Sequence, residues 1–456
     1  MGRSGEGNYS EIFNHYKDSK YNPINEATGD YSHAEGKNTI AEGEASHAEN
    51  SGRAYGARSH AENSGKAYGE ASHAENEAYA YGTCSHAEGK GTYALGEGSH
   101  SEGCGSSSQV YYFTGTGNSR VYTCSRIAYF DLQVGEVLSY NDTFAIITAI
   151  DTTASTVTFN QTLSSTDLSS AVFLRHQGAS ASNFDHSEGY LCTASGYYSH
   201  AGGYYTIANN TASYAIGKYN KPLASDDQFV IGNGAYGARS NAFRINNKGA
   251  TYGLSAFNSS GADYAEFVYP WYDNNIDNED RIGYFTTFKD GKLYKATSKD
   301  IILGITSGNP SIVGNADEDY YWRYERDEFN RIIFEDVEEE IQKVDENGNL
   351  VLDEDGNPVM EKTGNIIKNG RMKLSENYDP TLQGSYVERK DRAEWDYVGM
   401  LGILPTRDDG TCIPGQYCKC NDDGIATLAT PEDVATNRFT FIVLERVSDN
   451  VIKIKL

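Results

Sequence analysis

The stretch that decides the fold is Ser32-His33-Ala34-Glu35-Gly36, a pentapeptide of the form Ser-His-(Ala/Ser)-Glu-(Gly/Asn). It returns with spacings of 14, 13, 13, 13 and 14 residues between its histidines, which are His33, His47, His60, His73, His86 and His100. An Ala-x-Gly tripeptide lies halfway along each repeat, beginning at Ala41, Ala54, Ala67, Ala80 and Ala94. This period is too short for a helical repeat and fits two short strands and two tight turns per coil. Residues 31–105 are therefore predicted to form a parallel β-roll solenoid.

The repeat stops after residue 105 and resumes with the same spacing. His186 stands in Asp185-His186-Ser187-Glu188-Gly189, and the equivalent positions His200 and Tyr214 follow at intervals of 14 residues. One solenoid, continued over residues 183–220, is thus predicted to be interrupted by an inserted domain at residues 106–182.

The insertion is rich in β-branched and aromatic residues separated by turn signals, which predicts a small β-barrel or sandwich. Its predicted strands are Gln109–Thr114, Arg120–Phe130, Thr143–Ile150 and Thr156–Phe159. Two roles remain open for this domain: contact with a receptor or glycan, and service as a spacer or trimer clamp.

The histidine and glutamate of each repeat are two residues apart, so strand alternation places both on one face and Ser, Ala and Gly on the other. One hypothesis is a metal site made by stacked His and Glu side chains. The other is a structural ladder in which each His pairs with the Glu two residues on, because stacked unpaired carboxylates repel one another. We predict the ladder, without metal or cofactor, from His33, Glu35, His47, Glu49, His60, Glu62, His73, Glu75, His86, Glu88, His100 and Glu102.

Charge and hydropathy exclude some classes of binding partner. A formal charge of −26 without clustered Lys or Arg argues against binding to nucleic acid or anionic membranes. No stretch of 18 apolar residues occurs, which predicts no membrane insertion, and residues 1–20 lack the apolar segment of a secretory signal. The seven Cys follow no disulfide framework, so we expect free thiols in a protein made in the host cytoplasm.

The repeat resembles those of two known families. Ser213-Tyr214-Ala215-Ile216-Gly217 resembles a coil of trimeric-autotransporter adhesin heads, and the Ser-His-Ala-Glu-Gly form resembles solenoids of phage tail appendages. In the adhesin heads the second and fourth positions point into the roll. The resemblance therefore implies a trimer, with the His and Glu side chains inside each roll or at the subunit seam.

The C-terminal half carries a second resemblance, over about residues 235–456, to the autoproteolytic intramolecular chaperone domain classed as a G2 glutamic peptidase. The matching blocks are Ser259–Phe267, Glu279–Gly283, Ile302–Ser311, Asp408–Cys412 and Phe441–Leu456. The resemblance implies an α+β or β-rich domain over residues 263–456, preceded by a connector at 221–262.

That family cuts its own backbone before the Asp of Asp-Tyr-Ala-Glu. The resemblance thus implies cleavage between Ala262 and Asp263, with Asp263 and Glu266 as the catalytic carboxylates. Related appendages often have Ser where this chain has Ala262, which puts any mechanism needing that hydroxyl in doubt. A serine nucleophile at Ser259 or Ser260 remains an alternative, although no Lys is adjacent in sequence.

Together these features predict a mainly β, homotrimeric virion protein of a phage or prophage-derived particle. Residues 1–30 would attach it to other virion proteins, the solenoid and insertion would contact a host cell-surface receptor or glycan, and the C-terminal domain would direct trimer assembly and release itself. The alternatives are a bacterial surface adhesin, which should carry a signal peptide and membrane anchor, and a polysaccharide depolymerase, which needs a longer groove than short coils offer.

Overall fold

The computed structural model describes residues 3–4, 10–13, 25–124, 127, 132–141, 143–177, 179–224, 227–316, 323–343, 351, 359–436 and 439–456. They divide into two compact units, Met1–Phe257 and Asn258–Leu456, and nearly all of their regular structure is β. Much of the predicted attachment segment 1–30 lies outside the described residues.

The first unit is a solenoid whose coils each contribute one strand to each of two sheets. In the described part of the chain, the first sheet contains Arg3–Ser4, Glu11–Phe13, His33–Glu35, His47–Glu49, His60–Glu62, His73–Glu75, His86–Glu88, His100–Ser101, His186–Tyr190, His200–Tyr204, Tyr214–Lys218, Asp227–Asn233, Asn241–Asn246 and Thr251–Gly253. The second contains Glu26–Ala27, Ile40–Ala41, Arg53–Ala54, Lys66–Ala67, Tyr79–Ala80, Tyr93–Ala94, Ala179–Ser180, Thr193–Ala194 and Ile207–Ala208.

The repeat sets the register between coils. Successive coils pair in parallel with like residue on like residue, as His60 does with His73 and Ala61 with Ala74. The pairing crosses the insertion without a break, because His100 pairs directly with His186. The predicted β-roll solenoid interrupted by a β domain is thus confirmed.

Small residues explain why the coils stack so closely. The alanines of both motif halves are fully buried and form the narrow core, as Ala61 and Ala67 illustrate. A Cβ atom on Gly69 of Ala-x-Gly would lie 2.0 Å from the carbonyl oxygen of Gly82 in the next coil, so only glycine permits this approach. The motif serine closes the turn, since the Oγ of Ser72 donates to the Gly69 carbonyl at 2.7 Å.

Two expectations about the solenoid need correction. The His and Glu side chains do not point into the roll, because the alanine between them does; His60 and Glu62 are half-buried on the outer face. Their other predicted position, at the subunit seam, stays a prediction. The sheets also extend beyond the predicted limits: Glu11–Phe13 pairs with His33–Glu35, and Asp227–Asn233, assigned to the connector, continues the first sheet beside Tyr214–Lys218. Non-motif residues can occupy these end coils because only one of their faces must match the repeat.

The insertion is a closed barrel, in the order Ser106–Gly115, Val121–Thr123, Thr156–Phe159, Thr143–Asp151, Val137–Tyr140, Leu168–Gln177. Its core includes Phe113, Tyr122 and Phe159. A buried ion pair joins the barrel to the solenoid, with the Glu136 carboxylate 3.8 Å from the Arg239 guanidinium. The barrel is therefore mounted on the coils by specific packing as well as by its two connecting strands.

The second unit is β-rich and is built around one large sheet. Its strands, in the described residues, are Asp263–Glu266, Phe285–Lys289, Lys292–Lys295, Gly304–Ser307, Ile312–Gly314, Tyr397–Arg407, Tyr417–Cys420, Ala426–Leu428, Phe441–Ser448 and Val451–Lys455. A separate hairpin joins Phe334–Gln342 to Met360–Met372. Among its described residues, the helices are the 3-10 turns Pro380–Ser385 and Arg389–Asp391 and the short α-helix Pro431–Ala435.

Within the described residues, no helix is both long and apolar enough to cross a membrane. All seven cysteines fall in the described ranges and are free thiols, as expected.

Candidate active site

The predicted cleavage motif forms an inner strand of the second unit. Asp263–Glu266 runs parallel to Ile312–Gly314 on one side and antiparallel to Tyr397–Arg407 on the other. A bulge in the second neighbour, at Met400, lies opposite the middle of the motif strand. Pairing on both sides fixes the backbone that follows the predicted scissile bond.

The peptide bond between Ala262 and Asp263 is held by backbone hydrogen bonds on both sides. The Ile403 N–H donates to the Ala262 carbonyl at 3.2 Å, and the Ser311 N–H donates to the Asp263 carbonyl at 2.7 Å. Gly402 makes this possible: its φ is +133°, and a Cβ atom there would lie 2.4 Å from the Ala262 oxygen. A polarised, immobile carbonyl is the arrangement that nucleophilic attack on a peptide requires.

The Asp263 carboxyl is buried on the inner face of the sheet. Its Oδ1 accepts a hydrogen bond from the Ser307 hydroxyl at 3.1 Å, whereas Oδ2 has no partner among the described residues. Burial raises the pKa of Asp263, and the Ser307 hydrogen bond only partly offsets this effect. Asp263 therefore keeps its proton to a higher pH than an exposed aspartate does.

The Glu266 carboxyl lies in different surroundings. It is partly exposed, with Oε1 accepting from the Tyr264 hydroxyl at 2.5 Å and Oε2 from the Asn315 amide at 3.1 Å. The hydrogen bond to Glu266 raises the pKa of Tyr264, so the phenol keeps its proton and remains the donor. These two donors hold both carboxyl oxygens of Glu266 in place.

The structure does not bring the two predicted catalytic carboxylates together within one chain. Asp263 and Ala265 face the buried side of the strand, whereas Tyr264 and Glu266 face the opposite side. Neighbouring glycines mark the two faces: the Asp263 carboxyl lies against Gly399, and the Glu266 side chain lies against Gly314. Residues three apart in a strand always diverge in this way.

A cavity of about 510 Å³ opens beside the scissile bond, lined by Ala262, Asp263, Ser307 and Ile403 among others. It is large enough to admit water to the bond. Ser260 and Lys453 also line it, and the Lys453 ammonium lies 3.0 Å from the Glu445 carboxylate. The amine that a serine nucleophile would need as a base is therefore engaged in an ion pair.

Sequence reasoning missed three groups that act on this bond: Ser307, Gly402 and the Ile403 N–H. Ser307 stands inside the matched block Ile302–Ser311 without any feature to mark its contact. Gly399 and Gly402 in one strand were a usable signal, because glycine inside a strand often marks a bulge or a close backbone approach.

The His–Glu ladder lies on the outer face of the solenoid. The Glu49 Oε1 atom lies 3.7 Å from Nε2 of both His47 and His60, so this carboxylate bridges two coils. His73 lies 3.5 Å from Glu75 of its own coil. The expected pairing of His60 with Glu62 is therefore replaced by a pairing across coils, because coils stack closely enough for one carboxylate to reach two rings.

In the described part of the chain, three groups could bring metal ligands together, since the ligand atoms in each lie within 4.8 Å of one another. They are His47/Glu49/His60, His73/Glu75/His86 and His100/Glu102/His186. The paired rings, however, are stacked nearly parallel, at 8°, 7° and 6°. Imidazole lone pairs lie in the ring planes, so those of parallel rings do not converge on one ion, and this geometry favours the structural ladder.

Comparison with known proteins identifies the family of this chain. The family profile "Peptidase_G2, IMC autoproteolytic cleavage domain" matches residues 205–445, more than half of the chain. The pre-neck appendage protein of Bacillus phage B103 is 28% identical over 168 residues, which are 36% of this chain and 16% of that protein. The pre-neck appendage protein of Bacillus phage phi29 is 28% identical over 152 residues, 33% of this chain and 14% of that protein.

Solved structures of the bacteriophage phi29 gene product 12 also match. The pre-mature form has a TM-score of 0.42 and 15% identity, and the match covers 94% of this chain and 36% of that one. Its C-terminal fragment has a TM-score of 0.30 and 23% identity, and the match covers 42% of this chain and 99% of the fragment. The chain aligns to about one sixth of the length of the appendage proteins named above. The buried Asp263 beside a fixed peptide bond and the extended profile match lead to one conclusion: this chain belongs to the family that carries the Peptidase_G2, IMC autoproteolytic cleavage domain.

Proposed function

We propose that this chain is a homotrimeric appendage protein of a phage or phage-derived particle, and that its C-terminal unit directs trimer assembly and then hydrolyses the Ala262–Asp263 bond. Family membership and the likeness to pre-neck appendage proteins support the appendage role. One observation carries the position of the cut: a buried carboxyl of raised pKa, Asp263, directly follows a peptide carbonyl that a backbone N–H already polarises.

The different surroundings of the two carboxyls suggest their roles. Glu266 acts as the base and takes a proton from water in the cavity as the water oxygen attacks the Ala262 carbonyl carbon. The Ile403 N–H stabilises the negative charge that develops on the carbonyl oxygen. Asp263, protonated, gives its proton to its own backbone nitrogen as the C–N bond breaks. The products are a carboxylate at Ala262 and an amine at Asp263, so each chain cuts once, as a glutamic-type autopeptidase.

The two carboxyls lie on opposite faces of one strand, and a trimer could bring carboxyls of different chains together. Because Glu266 cannot face the bond that Asp263 follows in its own chain, we propose that it acts on the bond of a neighbouring chain. Cleavage would then await assembly, and the registering domain would be lost only after three solenoids are aligned. Release of the domain makes the assembled stalk kinetically stable, since the element needed to rebuild it has gone.

The solenoid and barrel would form the part that remains on the particle and contacts a host cell-surface receptor or glycan and other virion proteins. Their narrow alanine core supports trimerisation, because one thin roll buries little apolar side-chain surface by itself.

Co-assembly of two inactive variants tests the mechanism. Asp263→Asn and Glu266→Gln, each expressed alone, should leave the chain whole. When the two are co-expressed with different C-terminal tags, the Glu266→Gln chain should be cut, because its own Asp263 can work with the Glu266 of its neighbour.

The tag on the released fragment identifies the chain that was cut, and Glu445→Gln, which alters a carboxylate in the same cavity, serves as the control. Cleavage by Glu266→Gln alone at the wild-type rate would exclude the glutamic mechanism. If the mixture stays uncut while the wild type is cleaved, Glu266 does not act between chains. That result would not contradict cleavage at the Ala262–Asp263 bond, which the wild type tests separately.

A further inference from the structure

A second cavity, of about 420 Å³, lies where the inserted barrel meets the solenoid. Its volume falls within the ~300–1,000 Å³ typical of small-molecule sites. Two aromatic rings form one corner: Tyr81 from the solenoid and Phe144 from the barrel, with centroids 5.2 Å apart and planes at 60°. Tyr81 is itself stacked on Tyr68 of the preceding coil at 4.5 Å, so its ring is held in place.

Two side-chain amides at the end of a barrel strand supply hydrogen-bonding groups. The Asn160 Oδ1 atom accepts from the Ile146 N–H at 2.9 Å, which leaves the amide NH2 as a donor for a ligand. The Gln161 amide nitrogen donates to the Phe144 carbonyl, which leaves its oxygen as an acceptor. Both side chains are exposed and line the cavity. The Asn160 NH2 donor and the Gln161 oxygen acceptor thus lie side by side, and the remaining atom of each amide is hydrogen-bonded to the backbone.

The cavity differs from the rest of the chain in charge. None of its ten described lining residues is charged, although the chain as a whole carries −26. A charged ligand would be desolvated there without a partner, which is costly. The site therefore suits an uncharged ligand with an apolar face and adjacent groups that both donate and accept hydrogen bonds.

A pyranose ring has this combination, with C–H bonds on one face and hydroxyls that donate and accept at its edge. We infer that the cavity between barrel and solenoid binds a neutral sugar unit, its C–H face on Tyr81 and Phe144 and its hydroxyls on Asn160 and Gln161. This inference rests on the proposed host-binding role and gives it a site and a ligand class.

The repeat provides a matched pair of variants. Leu95 occupies the position of Tyr81 in the next coil, so Tyr81→Leu places in the solenoid a residue that the position already accepts. Tyr55→Leu makes the same change two coils earlier, outside the cavity. Gln161→Leu removes the acceptor at an exposed position that carries no core packing.

Saturation-transfer NMR on the full chain would use glucose, galactose and N-acetylglucosamine as probes and galacturonate as the charged comparison. At least one neutral sugar should bind the wild type and Tyr55→Leu equally, and at least ten-fold more weakly Tyr81→Leu and Gln161→Leu. Galacturonate should bind more weakly than galactose.

Binding that persists in Tyr81→Leu, or no binding of any neutral sugar by the wild type, would overturn the inference, and galacturonate binding as strong as that of galactose would contradict the charge argument. Adsorption of the protein to host cells, measured in parallel, separates the outcomes: adsorption without sugar binding refutes this site but not a host-binding role. Cleavage of the same samples, followed by mass, tests the autoproteolytic role independently.

Discussion

Replacing Asp185 by serine should remove a pH dependence of stability from the solenoid. Asp185 holds the position that serine fills in other coils, where Ser59, Ser72 and Ser85 each donate to a glycine carbonyl at 2.6–2.7 Å. It is 2% exposed and its Oδ2 accepts from the Ser182 N–H at 2.7 Å. Burial raises the pKa of Asp185 to about 8.

The sign and size of the effect follow from proton binding. A carboxyl in the unfolded chain loses its proton near pH ~3.9, whereas the folded solenoid keeps it up to about pH 8. Between these values the folded state binds one more proton, so the free energy of unfolding falls by ~1.4 kcal/mol per pH unit as pH rises. From about pH 5 to about pH 7 the loss attributable to Asp185 is ~3 kcal/mol, and it should level off above about pH 8.

Denaturant unfolding of wild type, Asp185→Ser and Asp185→Asn at one protein concentration measures this difference. Asp185→Ser should lose the slope and be more stable at pH 8, and Asp185→Asn should also lose the slope because it cannot ionise. Other groups titrate equally in all three proteins, so the difference isolates Asp185. Equal slopes in wild type and Asp185→Ser would refute the claim that this buried carboxyl is protonated in the folded state.

Gly69→Ala should destabilise the solenoid by about 3 kcal/mol or more, measured in thermal melts, because its Cβ would overlap the next coil's backbone. His73→Ala should cost about 1–3 kcal/mol by leaving a stacked carboxylate unpaired, and replacing His73 and Glu75 together with the Tyr and Ile of a later coil should cost much less. A metal chelator should leave the wild-type melting temperature unchanged if the ladder is structural, and a lowered one would favour the metal hypothesis. Ser307→Ala should move the alkaline limb of the cleavage pH profile upward, since that hydroxyl lowers the pKa of the carboxyl beside the scissile bond; an unmoved limb would show that this carboxyl is not the acid.

The solenoid was predictable because its determinants repeat. Each coil places Ala inside and His and Glu outside by simple alternation, and the 13- to 14-residue repeat fixes the register even across an inserted barrel. The barrel strands Val137–Tyr140 and Leu168–Gln177 were not predicted, although turn residues such as Gly135, Asn141 and Asp167 flank them. Their pairing depends on closure of the barrel, which no local pattern encodes.

The site was predictable only in part. The motif named the strand and both carboxyls, but the resemblance alone suggested that they work as a pair within one chain. Alternation along Asp263–Glu266 already implied opposite faces, and the contact between Asp263 and Ser307, 44 residues away, depends on strand order in the folded sheet. Long-range order of this kind cannot be deduced from spacing.

Intact mass of the purified full-length protein, with N-terminal sequencing of the smaller product, tests the central claim most directly. The account predicts two species, residues 1–262 and residues 263–456, and a C-terminal product whose first residue is Asp263. A chain that stays whole after assembly, or a new N-terminus at any residue other than Asp263, would contradict it.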